Sequence, residues 1–275
     1  MSIYFMIDMP TLSNVLPELW TQVERLAREL EVGTYADWAS LTARLGFLND
    51  PNLSNLLNTR IPGWHNIAAI NNGITARHTI LVFATCLNLP EFKEKPQQTQ
   101  SEIQWAVLLH DIDKSHGVLG KDTSHPFRSA AVAVKAMPGL GFELQPNVTP
   151  KDIESWSELV MSAQHEVNGQ ILHDHTNLSK IVEGLHRQWG KETSASRILK
   201  AVLFHQSLPM LKDWPNPVLL NDEELRAFLT LEDMDILAPL LIADSDSWNI
   251  FDEPRSAYLD ELRANIAETC RRLRG

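Results

Sequence analysis

Hydrophobic residues recur three and four positions apart along most of the chain, which is the spacing of one face of a helix. Between 12 and 30 the apolar positions keep this period throughout, so we expect one long N-terminal helix there. Further helices are predicted near 35–45, 75–88, 102–113, 126–137, 150–165, 177–189, 194–207, 222–229, 232–250 and 255–273. Alternating runs of β-branched residues bounded by turn signals are absent, so no hairpin is predicted. The pattern predicts an all-α fold.

Polar residues that mark helix starts support these boundaries. The segment 149–152, Thr-Pro-Lys-Asp, places a capping Thr before a Pro at the first helical position and an Asp three residues after the cap. Thr34 and Ser101 are expected to cap the helices that follow them. We interpret 1–62 as an N-terminal helical lead and 63–275 as a larger helical body that ends in a C-terminal helix.

Composition places the chain among folded, acidic proteins. Of its 275 residues, 44% are hydrophobic and 21% are charged, which is ordinary for a globular protein. There are 24 Lys and Arg against 35 Asp and Glu, so the formal net charge is -11. That balance disfavours nonspecific binding to nucleic acid and to an anionic membrane surface. No stretch approaches the roughly 20 consecutive apolar residues of a membrane span.

The two cysteines bear on the compartment. Cys86 and Cys270 are far apart and outside any CxxC arrangement, which argues against a disulfide framework or a Cys-based zinc site. We interpret them as reduced thiols. The first ten residues lack the basic start of a secretory signal. A cytoplasmic protein is therefore expected, and its oligomeric state is left open, a homo-oligomer included.

Candidate chemistry begins where a hydrophobic helix meets two ionisable residues. Leu108 and Leu109 are followed directly by His110 and Asp111. Neighbouring helical residues point about 100° apart, so a direct hydrogen bond between this His and Asp is not the obvious use of the pair. A metal ion can accept both an imidazole nitrogen and a carboxylate oxygen, and it compensates a buried charge. The alternative is a helix end that frays into solvent.

Four more ligand-type residues border hydrophobic segments. His78 lies within an apolar helix, His125 begins one, His165 ends one, and Asp244 stops the apolar run LAPLLIA. Each residue alone fits a hydrogen-bonded core residue or a helix cap. Together with the central His-Asp pair they follow the order His, His-Asp, His, His, Asp, which indicates a buried metal site.

Three short segments in this order resemble the signatures of the HD superfamily of metal-dependent phosphohydrolases. They are ARHTILV at 76–82, LLHDIDK at 108–114 and LLIADSDSW at 240–248. The resemblance covers roughly 65–250 and implies an HD-domain helical bundle with an N-terminal helical extension. It also implies the metal ligands His78, His110, Asp111 and Asp244.

Two further segments suggest a subtype. SHPFRSAAVAV and AQHEVNG are similar to stretches of cyclic-dinucleotide phosphodiesterases of the HD-GYP type. This likeness implies a second metal bound by His125 and His165, with Asp111 bridging the two ions. The same ligand order occurs in HD-fold di-iron oxygenases such as inositol oxygenase. Asp113 stands where the family has Gly, the paired histidines reduce to His165, and no GYP follows, so cyclic dinucleotides are not implied.

Ligand type and family resemblance together predict the function. Imidazole and carboxylate without thiolate suit one or two divalent ions of Fe, Mn, Mg, Co, Ni or Zn. In a hydrolase such ions bind phosphate oxygens and lower the pKa of a water. We expect an enzyme that hydrolyses a small phosphate ester or nucleotide, with Asp111 and Lys114 as catalytic residues. Lys114 would neutralise the phosphate, unless it is only a solvated helix-end cation.

Two alternative functions remain open at this point. The ligand order permits a di-iron oxygenase equally well. A catalytically inactive, metal-stabilised regulatory or binding domain is the third reading, because the departure at Asp113 falls within the central motif.

Several other residues keep more than one interpretation. His205, on another apolar helix, is expected to replace a predicted ligand, to contact substrate or to pack in the core. Asp113 would orient a ligand or simply decorate the helix end. His173 and His175 are predicted to lie at the surface in a loop. The eight tryptophans are predicted to lie in the core.

Overall fold

A computed structural model describes residues 9–114, 122–167, 170–208, 219–252 and 255–275, with the side chains at 70, 71, 165–167, 170, 171, 255 and 256 outside the description. The described residues form fifteen α-helices, a few 3-10 turns and one short pair of strands. The predicted all-α fold is confirmed, and the helices form a bundle.

Along the described chain, eight helices precede the His110-Asp111 pair and seven follow it. Before it lie α1 (Leu12–Val15), α2 (Pro17–Glu31), α3 (Trp38–Arg44), α4 (Pro51–Arg60), α5 (Trp64–Ala69), α6 (Ile74–Asn88), α7 (Pro90–Lys93) and α8 (Gln97–Leu109). After it lie α9 (His125–Ala136), α10 (Pro150–Ser162), α11 (Leu178–Trp189), α12 (Ser194–Phe204), α13 (Asp222–Phe228), α14 (Leu231–Ser247) and α15 (Arg255–Arg274). The 3-10 turns are Leu45–Asn49, Ile70–Gly73, Met137–Leu140 and His175–Asn177.

Of the three predicted helix caps, one is confirmed and two are wrong, and one predicted helix is divided. Thr149 caps α10, where its side chain accepts from the backbone N–H of Asp152 as the sequence predicts. The predicted single N-terminal helix is broken before Pro17, because the residue that precedes a proline avoids helical geometry. The caps predicted at Thr34 and Ser101 are wrong. Asp37 caps α3 instead, and Ser101 lies inside α8, where its hydroxyl donates to a carbonyl one turn earlier.

One β-hairpin corrects the prediction of a helix over 150–165. Helix α10 ends at Ser162, and strand β1 (Gln164–Val167) pairs antiparallel with β2 (Gln170–His173). In the sequence, an Asn-Gly dipeptide separates the two strands. Asn-Gly between two apolar segments is the strongest short-range hairpin signal, and the sequence interpretation overlooked it.

Helix α6 lies at the centre of the bundle. It packs against α2, α5, α8 and α14, and nearly all its side chains from Thr75 to Cys86 are buried. A helix enclosed on all sides needs apolar residues around its whole circumference, as the sequence of α6 provides. Helix α12 packs against α8, α9 and α14. Helices α6, α8, α9, α12 and α14 are therefore linked by mutual contacts in the interior of the bundle.

The N-terminal helices share this interior. Leu19, Val23 and Leu26 on α2 are buried and belong to the same hydrophobic cluster as the core residues of α6. The side chain of Asn88 adds a hydrogen bond to the carbonyl of Ala27 at 2.8 Å. A domain division after residue 62 stays a prediction. Within the described ranges, no helix has both the length and the apolar composition needed to cross a membrane.

Candidate metal centre

Six ligand-type side chains converge in the interior of the bundle. They form two adjoining groups, and in each group the ligand atoms lie within 4.8 Å of one another. We call them the first cluster (His78, His110 and Asp244) and the second cluster (Asp111, His125 and His205). All six residues are buried.

Helix ends deliver most of these side chains. His110 and His205 come directly after the last residues of α8 and α12, and His125 is the first residue of α9. His78 projects from the middle of α6, and Asp244 projects from the last turns of α14. The apolar runs of α8, α12 and α14 therefore lead to His110, His205 and Asp244 near their ends, whereas His125 begins α9 and His78 lies within α6.

Asp111 joins the two clusters through its two carboxylate oxygens. Its Oδ2 lies 3.6 Å from Nε2 of His78 and 3.5 Å from Nε2 of His110. Its Oδ1 lies 2.9 Å from Nε2 of His125 and 3.7 Å from Nε2 of His205. The carboxylate thus faces two histidines on each side.

Asp244 supplies a second carboxylate to the first cluster alone. Its Oδ1 lies 2.8 Å from Nε2 of His78 and 3.9 Å from Nε2 of His110. The close contact with His78 and the nearby charges hold the pKa of Asp244 well below its usual range, although burial acts in the opposite direction. Asp244 is therefore ionised and available as a ligand.

Every histidine of the two clusters has its Nδ1 occupied. The Nδ1 atoms of His110, His125 and His205 each donate to the carbonyl oxygen of the residue three positions earlier, at 2.7 Å for His110 and 2.8 Å for His205. Nδ1 of His78 lies 3.3 Å from Oγ of Ser247, whose own hydroxyl donates to a backbone carbonyl. Partners of this kind fix the ring orientation and tautomer of metal-binding histidines.

These hydrogen bonds leave Nε2 lone pairs pointing at one another. A carbonyl oxygen accepts only, so the ring proton of His125 and of His205 resides on Nδ1. Their Nε2 atoms nevertheless lie 3.1 Å apart and both face Oδ1 of Asp111. Nε2 of His110 and Oδ1 of Asp111 are buried and have no hydrogen-bond partner among the described residues. Lone pairs gathered in this way need a cation among them, and a divalent metal ion fits this donor set.

The protonation states also suit a metal. Burial lowers the pKa of His110 and of His125, so both imidazoles are neutral near pH 7. Burial acts to raise the pKa of Asp111, but His110, the Lys114 ammonium and His125 together hold it well below its usual range. Neutral imidazoles and ionised carboxylates are the forms that bind metals. The buried His and Asp groups can therefore hold a metal ion.

Lys114 lies against the bridging carboxylate. Its Nζ is 2.7 Å from Oδ2 of Asp111, and its side chain is 14% exposed. It is therefore not the solvated helix-end cation that the sequence left open. Burial opposes the charge of Lys114, but Asp111 and Asp244 raise its pKa, so the ammonium stays protonated.

Asp113 contacts Arg128 rather than a cluster histidine. Nε of Arg128 lies 3.5 Å from a carboxylate oxygen of Asp113, and an Nη donates to the Asp113 carbonyl at 3.0 Å. Arg128 also binds the side chains of Asp122 and Ser124. This arginine therefore fastens Asp113 to the residues that precede His125, and burial raises the pKa of Asp113.

The sequence analysis offers two histidines, His165 and His205, as the ligand that accompanies His125. His165 lies in β1, opposite Leu172 in the strand pairing, and its side chain lies outside the described residues. His205 lies in the second cluster beside His125 and Asp111. Among the described side chains, His205 thus occupies the position that the family resemblance gave to His165.

Other predicted placements need correction. His173 is buried in β2 and stacks on Phe127 at a centroid distance of 3.4 Å, so the surface loop predicted for it is wrong. A strand that packs on α9 buries the ring, and the missed hairpin explains the error. His175 is half-buried and pairs with Glu224 at 3.1 Å. Trp38 and Trp248 are exposed, so the prediction that the tryptophans all lie in the core is also wrong.

Sequence reasoning missed Ser247 as part of the centre. The residue lies within the quoted segment 240–248, three positions after Asp244, on the same face of α14. Its hydroxyl oxygen lies 3.3 Å from Nδ1 of His78, the ring nitrogen that is not directed at Asp111 and Asp244. The helical spacing from Asp244 was the signal that could have identified it.

No family model, curated protein or solved structure matches this chain. The clustered histidines and aspartates on a helical bundle are compatible with an HD-type site. Membership of the HD superfamily rests on the three sequence segments and stays a prediction.

Proposed function

We propose that this protein is a metal-dependent phosphohydrolase that cleaves a small phosphate ester at a two-metal centre. One observation carries the proposal. Asp111 turns one oxygen to a pair of imidazoles on each side, and both oxygens lie within 3.7 Å of the nearest Nε2 atoms. A carboxylate between two imidazole-rich clusters is the arrangement that bridges a pair of metal ions.

The described residues divide between two ions. His78, His110 and Asp244 would hold one, His125 and His205 the other, and Asp111 would contact both. When bound, divalent ions at such a centre supply Lewis-acid activation of water and of the phosphate oxygens.

The protein itself supplies charge and orientation around the substrate. Lys114 brings a protonated ammonium to the edge of the centre, where it can bind a phosphate oxygen. The apolar helices around the clusters exclude bulk water, which strengthens each electrostatic interaction inside. In a chain with a formal net charge of -11, a buried cation beside the carboxylates favours an anionic substrate.

The same ligand set would serve a di-iron oxygenase or an inactive metal-binding domain. Lys114 favours the phosphohydrolase, because an ammonium on the bridging carboxylate has an evident use with phosphate. We therefore prefer the phosphohydrolase to the oxygenase and to the inactive domain.

Metal analysis combined with two activity assays tests the proposal. The protein is purified without added metal, its bound metals are quantified, and a panel of phosphate esters is assayed with Mn²⁺ and Fe²⁺ beside O₂ consumption. We expect phosphate release that is lost in His78→Gln and retained in His175→Gln, the control outside both clusters. Two irons with a mixed-valence EPR signal, O₂ consumption and no hydrolysis would establish the oxygenase. Bound metal without activity in either assay would establish the binding domain.

A further inference from the structure

A small pocket adjoins the metal centre through His78. It has a volume of about 190 Å³ and lies where α3, α6 and the end of α14 meet. The described residues around it include Trp38, Arg77, His78, Ser247 and Trp248. Because His78 and Ser247 also belong to the metal centre, a molecule in this pocket lies next to the first cluster.

The charge of the pocket is opposite to that of the protein. Of the described residues around it, Arg77 has the one fixed charge, which is positive, and none carries a carboxylate. Arg77 is half-buried and directly precedes His78 on α6. A guanidinium in a partly apolar recess whose described lining holds no carboxylate favours an anionic ligand.

Two exposed tryptophans form the walls. The Trp248 ring stacks on the His78 imidazole, with centroids 4.4 Å apart and planes at 22°, and it is 45% exposed. Trp38 is 37% exposed and meets Phe251 edge to face. Trp64 and Trp105 are buried in the core, whereas the two tryptophans at this pocket remain exposed to solvent. Aromatic faces that remain accessible suit the stacking of a flat ring.

The volume of the pocket limits the size of the ligand that it can enclose. Sites that enclose a whole drug-sized ligand begin at about 300 Å³. At about 190 Å³ this pocket holds one part of a substrate and leaves the rest at the metal centre. The part that fits its walls is flat and apolar.

We propose that this pocket is the subsite for the leaving group of the phosphohydrolase, which makes aromatic phosphate esters the substrate class. The flat ring of the ester lies between the tryptophans, and Arg77 binds an oxygen of the phosphate as it enters the first cluster. Arg77 is then a substrate-binding residue in addition to Lys114. This inference rests on the proposed function for its chemistry, but the pocket can be tested by binding alone.

Two phosphonates test the subsite without turnover. Phenylphosphonate and methylphosphonate have the same anionic head and differ in the ring. Isothermal titration calorimetry on the full chain with Mn²⁺ compares them in the wild type, Trp38→Ala, Arg77→Gln and Arg28→Gln. Arg28 is an exposed arginine on α2, paired with Glu24 at 3.6 Å, and gives the matched control.

We expect the wild type to bind phenylphosphonate roughly tenfold more tightly than methylphosphonate. Trp38→Ala should abolish this preference and leave methylphosphonate binding unchanged, which also shows that the variant is folded. Arg77→Gln should weaken both ligands roughly tenfold and keep the preference, because it removes a charged hydrogen bond to the common head. Arg28→Gln should match the wild type.

The outcomes separate the subsite from the proposed function. Equal affinity for the two phosphonates, or a preference that survives Trp38→Ala, would overturn the subsite even if phosphate esters are hydrolysed. A ring preference that depends on Trp38, in a protein that hydrolyses no phosphate ester, would keep the pocket as an aromatic-anion site and overturn the phosphohydrolase.

Discussion

The Nε2 atoms of His125 and His205 lie 3.1 Å apart, although each ring donates its one proton from Nδ1 to a backbone carbonyl. Two lone pairs at this distance repel each other unless a cation joins them. Oδ1 of Asp111 lies on the same side of both rings, within 3.7 Å of each Nε2 atom. Because of this contact, a substitution in the second cluster is a more direct test of metal binding than one in the first cluster.

His205→Ala should reduce the metal content from two ions per chain to one. The variant removes one Nε2 ligand from the second cluster and leaves the first cluster complete. Inductively coupled plasma mass spectrometry after dialysis with metal measures the stoichiometry. His175→Ala, which changes a half-buried histidine paired with Glu224, is the control and should keep both ions. Retention of both ions in His205→Ala, with loss in His165→Ala, would transfer the ligand role to His165.

Asp111→Asn should abolish tight binding of both ions, because Asp111 faces both clusters. It should also lower the unfolding free energy of the metal-free protein by about 3 kcal/mol, since the buried Lys114 ammonium loses its carboxylate. Urea denaturation in chelator measures this loss. Adding Lys114→Met to the variant should recover much of the stability and none of the metal binding. If the losses in unfolding free energy caused by Asp111→Asn and Lys114→Met simply added in the double variant, the ion pair between Asp111 and Lys114 would not stabilise the protein.

Ser247→Ala should weaken metal binding in the first cluster by about tenfold to a hundredfold, the usual effect of removing the partner of a ligating histidine. The variant frees the His78 ring from the hydroxyl 3.3 Å from its Nδ1. Competition with a fluorescent chelator measures the affinity. Ser162→Ala is a matched control, because the Ser162 hydroxyl also donates to the carbonyl three residues earlier, at the end of α10. Equal affinities in the two variants would show that the contact with His78 has no part in binding.

His173→Phe should make the protein more resistant to acid. Burial lowers the pKa of His173 to about 4 in the folded state, below the value of about 6.5 expected in the unfolded chain. The unfolded state therefore binds more protons below pH 6.5, and stability is lost as the pH falls from about 6.5 towards 4. His173 contributes up to about 3 kcal/mol to this loss.

Urea denaturation at pH 7 and pH 4.5 measures the change in stability of each variant. Phe keeps the stack on Phe127, so His173→Phe should lose less stability between the two pH values than the wild type. The exposed His65 provides the control variant His65→Gln, which should follow the wild type. An unchanged acid loss in His173→Phe would show that this ring does not titrate on unfolding.

Helix periodicity and capping chemistry predicted most of the long helices, because these signals are local. The box at Thr149 is formed as the sequence implies, and α6 follows its predicted boundaries within one residue. Short helices such as Pro51–Arg60 and Trp64–Ala69 have a weaker apolar pattern and were not predicted. The hairpin was missed because apolar positions suggested a helix and the Asn-Gly signal was overlooked.

The candidate site was predictable in its residue types and less so in its groupings. The sequence pointed to His78, His110, Asp111, His125 and Asp244, and the structure brings these five side chains together. It also pointed to His165, whose side chain lies outside the described residues. The pairing of His205 with His125 depends on how α9 and α12 pack, and spacing along the chain does not encode that. Arg77 and Trp38 come from helices that were predicted, but their meeting beside His78 is a product of tertiary packing alone.

Three of the cluster imidazoles, those of His110, His125 and His205, are aimed by a carbonyl only three residues away in the same stretch of chain. Each of these three rings is therefore oriented by a hydrogen bond within its own turn. How the clusters come together then depends on helix packing, so metal binding would report on tertiary structure. An ion in the first cluster would report how α6 lies against α14, and an ion in the second cluster would report how α9 lies against α12. Partial metal content in a damaged or variant protein would accordingly show which side of the bundle has come apart.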